Sequence, residues 1–172
     1  MGNLALVLQL QGKMKEAATM YEDTIQLDAA RGTTTIGHLA RGNLGDLLLS
    51  IGDIDESIDT LTEAIEALDP IQPPMAGAFR GSLAWAQAQH GNFDSARRLL
   101  TEGEAQLRGV WVVELGRLLC RRAQVEQTAG KTDAARAALT EAKAIAETLG
   151  GSSDSDLGQL LVEATEMVNA SP

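Results

Sequence analysis

The chain has 172 residues, of which 44% are hydrophobic, 3% aromatic and 22% charged, and its net charge is −10. This composition excludes a disordered chain, and the single cysteine excludes an internal disulfide or a cysteine-based metal site. No apolar run approaches the roughly 20 residues of a membrane helix, and no secretory leader precedes the first predicted helix. We therefore expect a cytoplasmic protein, with no membrane partner and no metal or other cofactor.

The negative charge is concentrated in the first part of the chain. Residues 1–70 carry 4 basic and 12 acidic side chains, whereas residues 71–172 carry 10 and 12. Such a field repels phosphate groups, so no nucleic acid is expected as a partner. The acidic half serves either solubility or the binding of a basic partner.

Four similar phrases divide the chain in order, beginning at Gly12, Gly52, Gly91 and Gly130 and spaced by 40, 39 and 39 residues. Each glycine lies between two stretches with helical periodicity and is suited to end the first of them. The predicted helix pairs are 2–11 with 14–29, 34–50 with 54–68, 74–89 with 93–108, and 111–129 with 132–149.

Small and large residues recur at fixed offsets around these glycines, which indicates close antiparallel helices with one bulky side chain beside each contact. The small positions before the glycines are Ala5, Gly45, Ala84 and Ala123; those after are Ala17, Ser57, Ala96 and Ala135; the large ones are Tyr21, Leu61, Leu100 and Leu139. Residues such as Asp53 and Asn92 are expected to cap or charge-complement the second helices.

The chain ends in a fifth helical segment, about 154–170, after Gly150 and a serine-rich stretch that supplies N-cap residues. Its apolar residues lie on one stripe, with Glu163 and Glu166 on the other side. This pattern is typical of a C-terminal capping helix with a polar outer face.

These phrases resemble the tetratricopeptide repeat (TPR) family, in a longer-repeat form similar to kinesin light chains and bacterial peptide-sensing regulators. The resemblance implies an all-α, right-handed α-solenoid with repeats at about 1–31, 32–70, 71–109 and 110–149. The fourth repeat departs from the pattern at Arg122 and Glu126, where large apolar residues are usual. Ten arginines against four lysines favour a bacterial, GC-rich source.

The resemblance also implies that the first helices of successive repeats line a concave groove. The groove-facing candidates are Asn3, Asn43, Asp46, Ser82, Trp85, Arg117, Arg121 and Gln124. Asn3 and Asn43 share one repeat position, where an amide offers both a donor and an acceptor to a bound main chain. The alternative is that these two asparagines cap or bridge neighbouring helices.

Arg117 and Arg121 lie one helical turn apart, with Arg80 expected nearby, and a guanidinium pair suits a carboxylate or phosphate. Their alternative role is pairing with Glu114 and other helix-surface carboxylates. Trp85 is expected either to stack on a ligand or to belong to the core.

No motif predicts catalysis or metal binding, because His38 and His90 lie in different repeats without ligand-like neighbours. Cys120 is predicted to be a buried small hydrophobe or, alternatively, a reactive thiol near the groove.

The leading hypothesis is a non-enzymatic scaffold that binds a protein or an extended peptide. The first alternative is a sensor or docking domain of a larger signalling protein such as a kinase, ATPase or transcriptional regulator. The second is a self-associating module, because the chain begins inside what should be the first helix of the repeat, which leaves that helix a turn short, and the N-terminal end lacks a polar cap. That end predicts either further repeats upstream, the chain then being a fragment of a longer array, or end-to-end homo-oligomers.

Overall fold

The structure, a computed structural model, describes residues 2–32, 35–152 and 155–170, and for residues 2 and 3 it describes the backbone alone. Within these ranges every regular element is a helix. The helices are α1 (Gly2–Leu10), α2 (Met14–Arg31), α3 (Thr35–Ile51), α4 (Ile54–Leu68), α5 (Pro73–Gln89), α6 (Phe93–Leu107), α7 (Val112–Thr128), α8 (Thr132–Thr148) and α9 (Asp156–Asn169). All nine coincide with predicted helices to within two residues at each end.

The turns inside the four hairpins share one geometry. Gly12, Gly52, Gly91 and Gly130 have φ between +71° and +87°, the left-handed region in which glycine carries no side-chain penalty. The amide after each glycine bonds to the carbonyl five residues earlier, as in Asp53 N to Leu48 O at 3.0 Å. This hydrogen bond closes the C-terminal end of the first helix, and the second helix begins directly after it.

Of the two roles predicted for Asp53 and Asn92, capping of the second helices by their side chains is not observed, whereas charge complementation stays a prediction. Both residues occupy the N-cap position of α4 and α6, but neither makes a side-chain capping bond. The Asn92 amide nitrogen instead donates to Gln87 Oε1 at 2.8 Å. By contrast, Ser155 caps α9 as expected, because its Oγ accepts a hydrogen bond from Gly158 N at 3.1 Å.

The predicted spacing of small and large residues is confirmed as the core. Ala17, Ser57, Ala96 and Ala135 are each 0% exposed, and the large residues that follow them are buried as well. Ser57 Oγ donates to Gly45 O at 2.9 Å, so its hydroxyl is satisfied inside the contact between α3 and α4.

The chain separates into two compact units, and the boundary falls inside α5. The N-terminal unit is Met1–Phe79, and the C-terminal unit is Arg80–Pro172. In the N-terminal unit Ala5, Tyr21 and Leu47 centre one apolar cluster of α1–α3. In the C-terminal unit a larger cluster joins residues of α5 to those of α6, α7, α8 and α9.

The last helix behaves as a cap of the C-terminal unit. Leu157, Leu160, Ala164 and Val168 are buried, whereas Glu163 and Glu166 are exposed. The division into four repeats at the predicted limits and the right-handed twist stay predictions.

Candidate binding surfaces

In the N-terminal unit two of the three predicted contact residues, Asn43 and Asp46, lie on α3. Asn43 and Asp46 are both half-buried, which leaves part of each side chain accessible. Asn3 belongs to α1, but its side chain is outside the described residues. Burial raises the pKa of Tyr21, and the negative charge of Asp46 adds to the rise. The Tyr21 hydroxyl also lies 3.5 Å from Gln9 Oε1, so polar groups of three helices meet here.

Glycines in α3 allow this helix to pack closely against neighbouring side chains of the N-terminal unit. A Cβ at Gly42 would lie 2.3 Å from the ring of Phe79, and one at Gly45 would lie 2.6 Å from Leu61 Cγ. Asp28 Oδ2 accepts a hydrogen bond from Gly37 N at 2.8 Å near the start of the same helix. These contacts fix α3 and therefore the positions of Asn43 and Asp46.

In the C-terminal unit Arg117 and Arg121 are half-buried on one side of α7. Arg117 Nη1 lies 3.4 Å from Glu114 Oε2, which matches the structural alternative considered for this arginine. Arg121 Nη1 donates to Gln124 Oε1 at 2.9 Å, and Gln124 is only 5% exposed. Gln124 is therefore hardly accessible itself, and its side chain holds the guanidinium of Arg121 in position.

Ser82 and Trp85 lie on the part of α5 that belongs to this unit. Ser82 is buried at 8% exposure, so a partner would meet little of its hydroxyl. Trp85 is half-buried and packs against the apolar cluster of the C-terminal unit. Arg80 donates to Glu102 Oε2 at 3.3 Å and to Gln106 Oε1 at 2.8 Å, both on α6, and its expected proximity to the α7 arginines stays a prediction.

Cys120 lies on α7 next to Arg121 and is fully buried. Burial raises the pKa of its thiol to about 12, an effect opposed by the positive charges of Arg121 and Arg117 and reinforced by Glu163 of α9. The thiol is therefore neutral near pH 7, and its role is packing rather than nucleophilic chemistry.

Sequence reasoning missed the ion pairs that join α6 to α7. Arg97 donates two hydrogen bonds to the buried carboxylate of Glu126, from Nε to Oε1 at 2.9 Å and from Nη2 to Oε2 at 2.8 Å. Arg122 Nη2 lies 2.7 Å from Glu104 Oε2, and Glu104 also pairs with Arg108. The unusual charges at positions 122 and 126 were visible in the sequence, but their partners lie 18 and 29 residues away.

A second missed feature is a run of exposed apolar residues at the start of α7. Val110, Trp111, Val112 and Val113 are 65%, 40%, 44% and 40% exposed. Next to this run is an open cavity of about 440 Å³ bordered by α7, by residues that follow α8 and by the start of α9. Four consecutive apolar residues at a join between hairpins were a readable signal for a surface of this kind.

Two classes of site find no support in the described part of the chain. Among those residues, no group of three or more histidine, cysteine, aspartate or glutamate side chains is arranged to hold a metal ion. None of the described helices has the length and apolar character needed to cross a lipid bilayer.

Comparison with known proteins agrees with the fold. Tetratricopeptide repeat profiles match residues 1–69 and 77–102, which together make up more than half of the chain. The chain belongs to the tetratricopeptide repeat family. Repeats of this family generally mediate protein–protein interactions and are typically non-catalytic. No curated protein sequence gives a significant match.

Solved structures with the same fold include two relatives of the kinesin light chain type. BtubC (BKLC) from P. vanneervenii superposes with a TM-score of 0.70 at 19% identity over 87% of this chain. The TPR-like repeats of a kinesin light chain-like protein from Podosopora anserina give 0.64 at 18% identity over 98% of this chain and 92% of theirs. The chain spans 63% of the length of BtubC.

Proposed function

We propose that this TPR protein is a scaffold that holds an extended segment of a partner protein against the first helices of its hairpins. In the N-terminal unit the contact residues are Asn43 and Asp46, together with Asn3. In the C-terminal unit they are Trp85, Arg117 and Arg121, with Ser82 and Gln124 behind them. The family supports protein binding, and these residue assignments are ours.

The observation that carries the proposal is the half-burial of Asn43, Asp46, Arg117 and Arg121 on first helices. A half-buried polar side chain is held in position by its neighbours yet still meets solvent, so it loses little conformational entropy when it binds. An amide such as that of Asn43 pairs with a peptide unit, and the guanidinium of Arg121 pairs with a carboxylate.

The test is affinity capture from the source cells with the wild-type chain and two single variants, Asn43→Ala and Arg121→Glu. We expect each variant to lose at least one partner that the wild type retains, and the Arg121-dependent partner to weaken as salt rises. Gln26→Ala and Arg98→Glu are matched controls, because they change an exposed amide and an exposed arginine on second helices. Identical partner sets for all five proteins would overturn the assignment.

A specific observation also favours self-association through α1. Leu4, Leu6, Val7 and Leu10 are 46–71% exposed, and the sequence of α1 contains no charged residue. An apolar helix face of this kind is commonly covered by another element or another copy. Light scattering over a concentration series should show dimers for the wild type and monomers for Val7→Gln/Leu10→Gln, with Ile51→Gln as the matched control. A wild-type monomer at every concentration would exclude this candidate.

A further inference from the structure

The exposed apolar run Val110–Val113 adjoins a formed pocket. Single exposed apolar side chains are ordinary on protein surfaces, whereas a contiguous apolar patch marks an interaction site. Val113 belongs both to the run and to the wall of the 440 Å³ cavity. This volume lies within the range of sites that take a large side chain or a small ligand, about 300–1,000 Å³.

The pocket has an apolar wall with fixed geometry. Leu157 of α9, Val113 of α7 and Leu149 after α8 supply its apolar surface. Leu157 packs directly over Gly116, where a Cβ would lie 3.1 Å from both of its methyl carbons. This close contact between α7 and α9 supports the inner wall of the cavity.

The charges at the pocket select against an acidic partner. Its charged lining residues are Glu114, Arg117 and Asp156. Glu114 lies 3.4 Å from Arg117 and offsets its charge, which leaves the exposed carboxylate of Asp156 in excess. The C-terminal unit, with 10 basic and 12 acidic side chains, has a net charge of −2, which has the same sign. A cation beside the apolar side chain is thus favoured over an anion.

We propose that this pocket anchors a bulky apolar side chain of the partner, with a lysine or arginine next to it contacting Asp156. The inference rests on the proposed scaffold function and names the chemistry of one anchoring point in the C-terminal unit. The run Val110–Val113 contacts the apolar residues that follow the anchor. Trp111 contributes a large flat surface at the centre of this run.

Three synthetic eight-residue peptides test the proposal against the isotope-labelled chain of 172 residues. The first has a central phenylalanine between two lysines, the second replaces the lysines by glutamates, and the third replaces the phenylalanine by serine. At 18.2 kDa the chain suits NMR titration of single amides. We expect the lysine–phenylalanine peptide to shift the amides of Val113 and Gly151 and the indole of Trp111, but not the indole of Trp85. The other two peptides should bind at least about tenfold more weakly.

Variants locate the contacts. Val113→Gln and Leu149→Gln change side chains that are 40% and 44% exposed, so both proteins should fold, and both should lose the peptide. Ile51→Gln changes an apolar residue of the N-terminal unit that is 53% exposed, and this variant should bind the peptide as the wild type does. Asp156→Asn should remove the preference for lysine over glutamate, whereas Asp133→Asn, in the first turn of α8, should retain it.

Three results would overturn the proposal. The first is that all three peptides bind equally or that none binds. The second is that the peptide shifts NMR signals of residues outside the pocket and the run Val110–Val113. The third is that the glutamate peptide binds more tightly than the lysine peptide. The last result would favour recognition of acidic groups by Arg117 instead. Failure here is distinguishable from failure of the scaffold function, because partner capture that depends on Asn43 or Arg121 would persist in Val113→Gln and Leu149→Gln.

Discussion

At the level of single residues, the contact between α6 and α7 is partly ionic where such repeats are usually apolar. Glu126 is 7% exposed, so its carboxylate is stable there only because Arg97 meets it with two charge-assisted hydrogen bonds. Removing one partner of a buried pair costs more than removing both, because the remaining charge stays buried without compensation. This asymmetry makes the pair testable.

We expect Arg97→Met to lower the free energy of unfolding by about 2–3 kcal/mol, since it leaves the Glu126 carboxylate buried without its partner. The double variant Arg97→Met/Glu126→Leu should recover to within about 1 kcal/mol of the wild type, because leucine restores the apolar contact usual at this position. Urea denaturation measures both values, and Arg98→Met is the exposed control. A double variant as unstable as the single one would show that the pair is not the cause.

Cys120 gives a prediction from its raised pKa. Because the folded thiol titrates at about 12, well above an exposed cysteine, it stays protonated and unreactive from pH 7 to 9. Between the pKa of the thiol in the unfolded chain, about 9, and its pKa in the folded protein, about 12, the native state keeps a proton that the unfolded state has lost. The free energy of unfolding therefore falls as the pH rises from about 9 to about 12. Iodoacetamide at pH 8.5 should leave the native protein unmodified and alkylate it in urea. Rapid native labelling would contradict this.

At the level of elements, the helix spacing is set by a few small residues. In helix interiors glycine is about 1 kcal/mol less favourable than alanine, so a retained glycine needs a packing reason. Gly42 has one, because a Cβ there would lie 2.3 Å from the Phe79 ring. Gly81 does not have the same reason, since its Cβ would meet Leu118 Cα at 3.4 Å, an ordinary contact distance.

These two glycines should respond oppositely to alanine. Gly42→Ala is expected to destabilise by about 1–3 kcal/mol through overpacking, whereas Gly81→Ala should be neutral or stabilise by up to about 1 kcal/mol. Adding Phe79→Leu to Gly42→Ala should recover part of the loss, because the smaller side chain vacates the space. Thermal unfolding of the three variants measures the effects. Equal destabilisation by both alanines would rule out Phe79 as the cause at position 42.

The same elements show how much the sequence could predict. Helices and core positions were predictable because they follow a period that repeats four times, and the turn glycines mark it. Side-chain partners were not, since nothing in the repeat pattern indicates that Arg80 bonds to Glu102 and Gln106 of α6. That choice depends on helix rotation and side-chain reach, neither of which the repeat period fixes. The burial of Ser82 and Gln124 was hidden for the same reason.

At the level of the whole molecule, the charge is unequal between the two units. All 12 acidic and 4 basic side chains of residues 1–70 belong to the N-terminal unit, and residues 71–79 add none. The N-terminal unit therefore has a net charge of −8, and the C-terminal unit has −2. The C-terminal unit also holds favourable pairs, including Arg97 with Glu126 and Arg122 with Glu104. The N-terminal unit also holds an ion pair, Arg41 with Glu63, but because of its larger net charge we expect stronger like-charge repulsion there than in the C-terminal unit.

Salt should therefore stabilise the N-terminal unit but not the C-terminal unit. Raising NaCl from 0.01 to 1 M shortens the screening length from about 30 Å to about 3 Å. Amide hydrogen exchange should slow in α3, where repulsion is relieved, and stay constant or quicken in α7, where ion pairs weaken. Each change should correspond to roughly 1 kcal/mol or less. Glu56→Gln/Asp59→Asn, which removes two exposed carboxylates of α4, should slow exchange in α3 at low salt without affecting α7. Equal slowing of both helices by salt would indicate a general effect on apolar burial, and the charge difference would not be its cause.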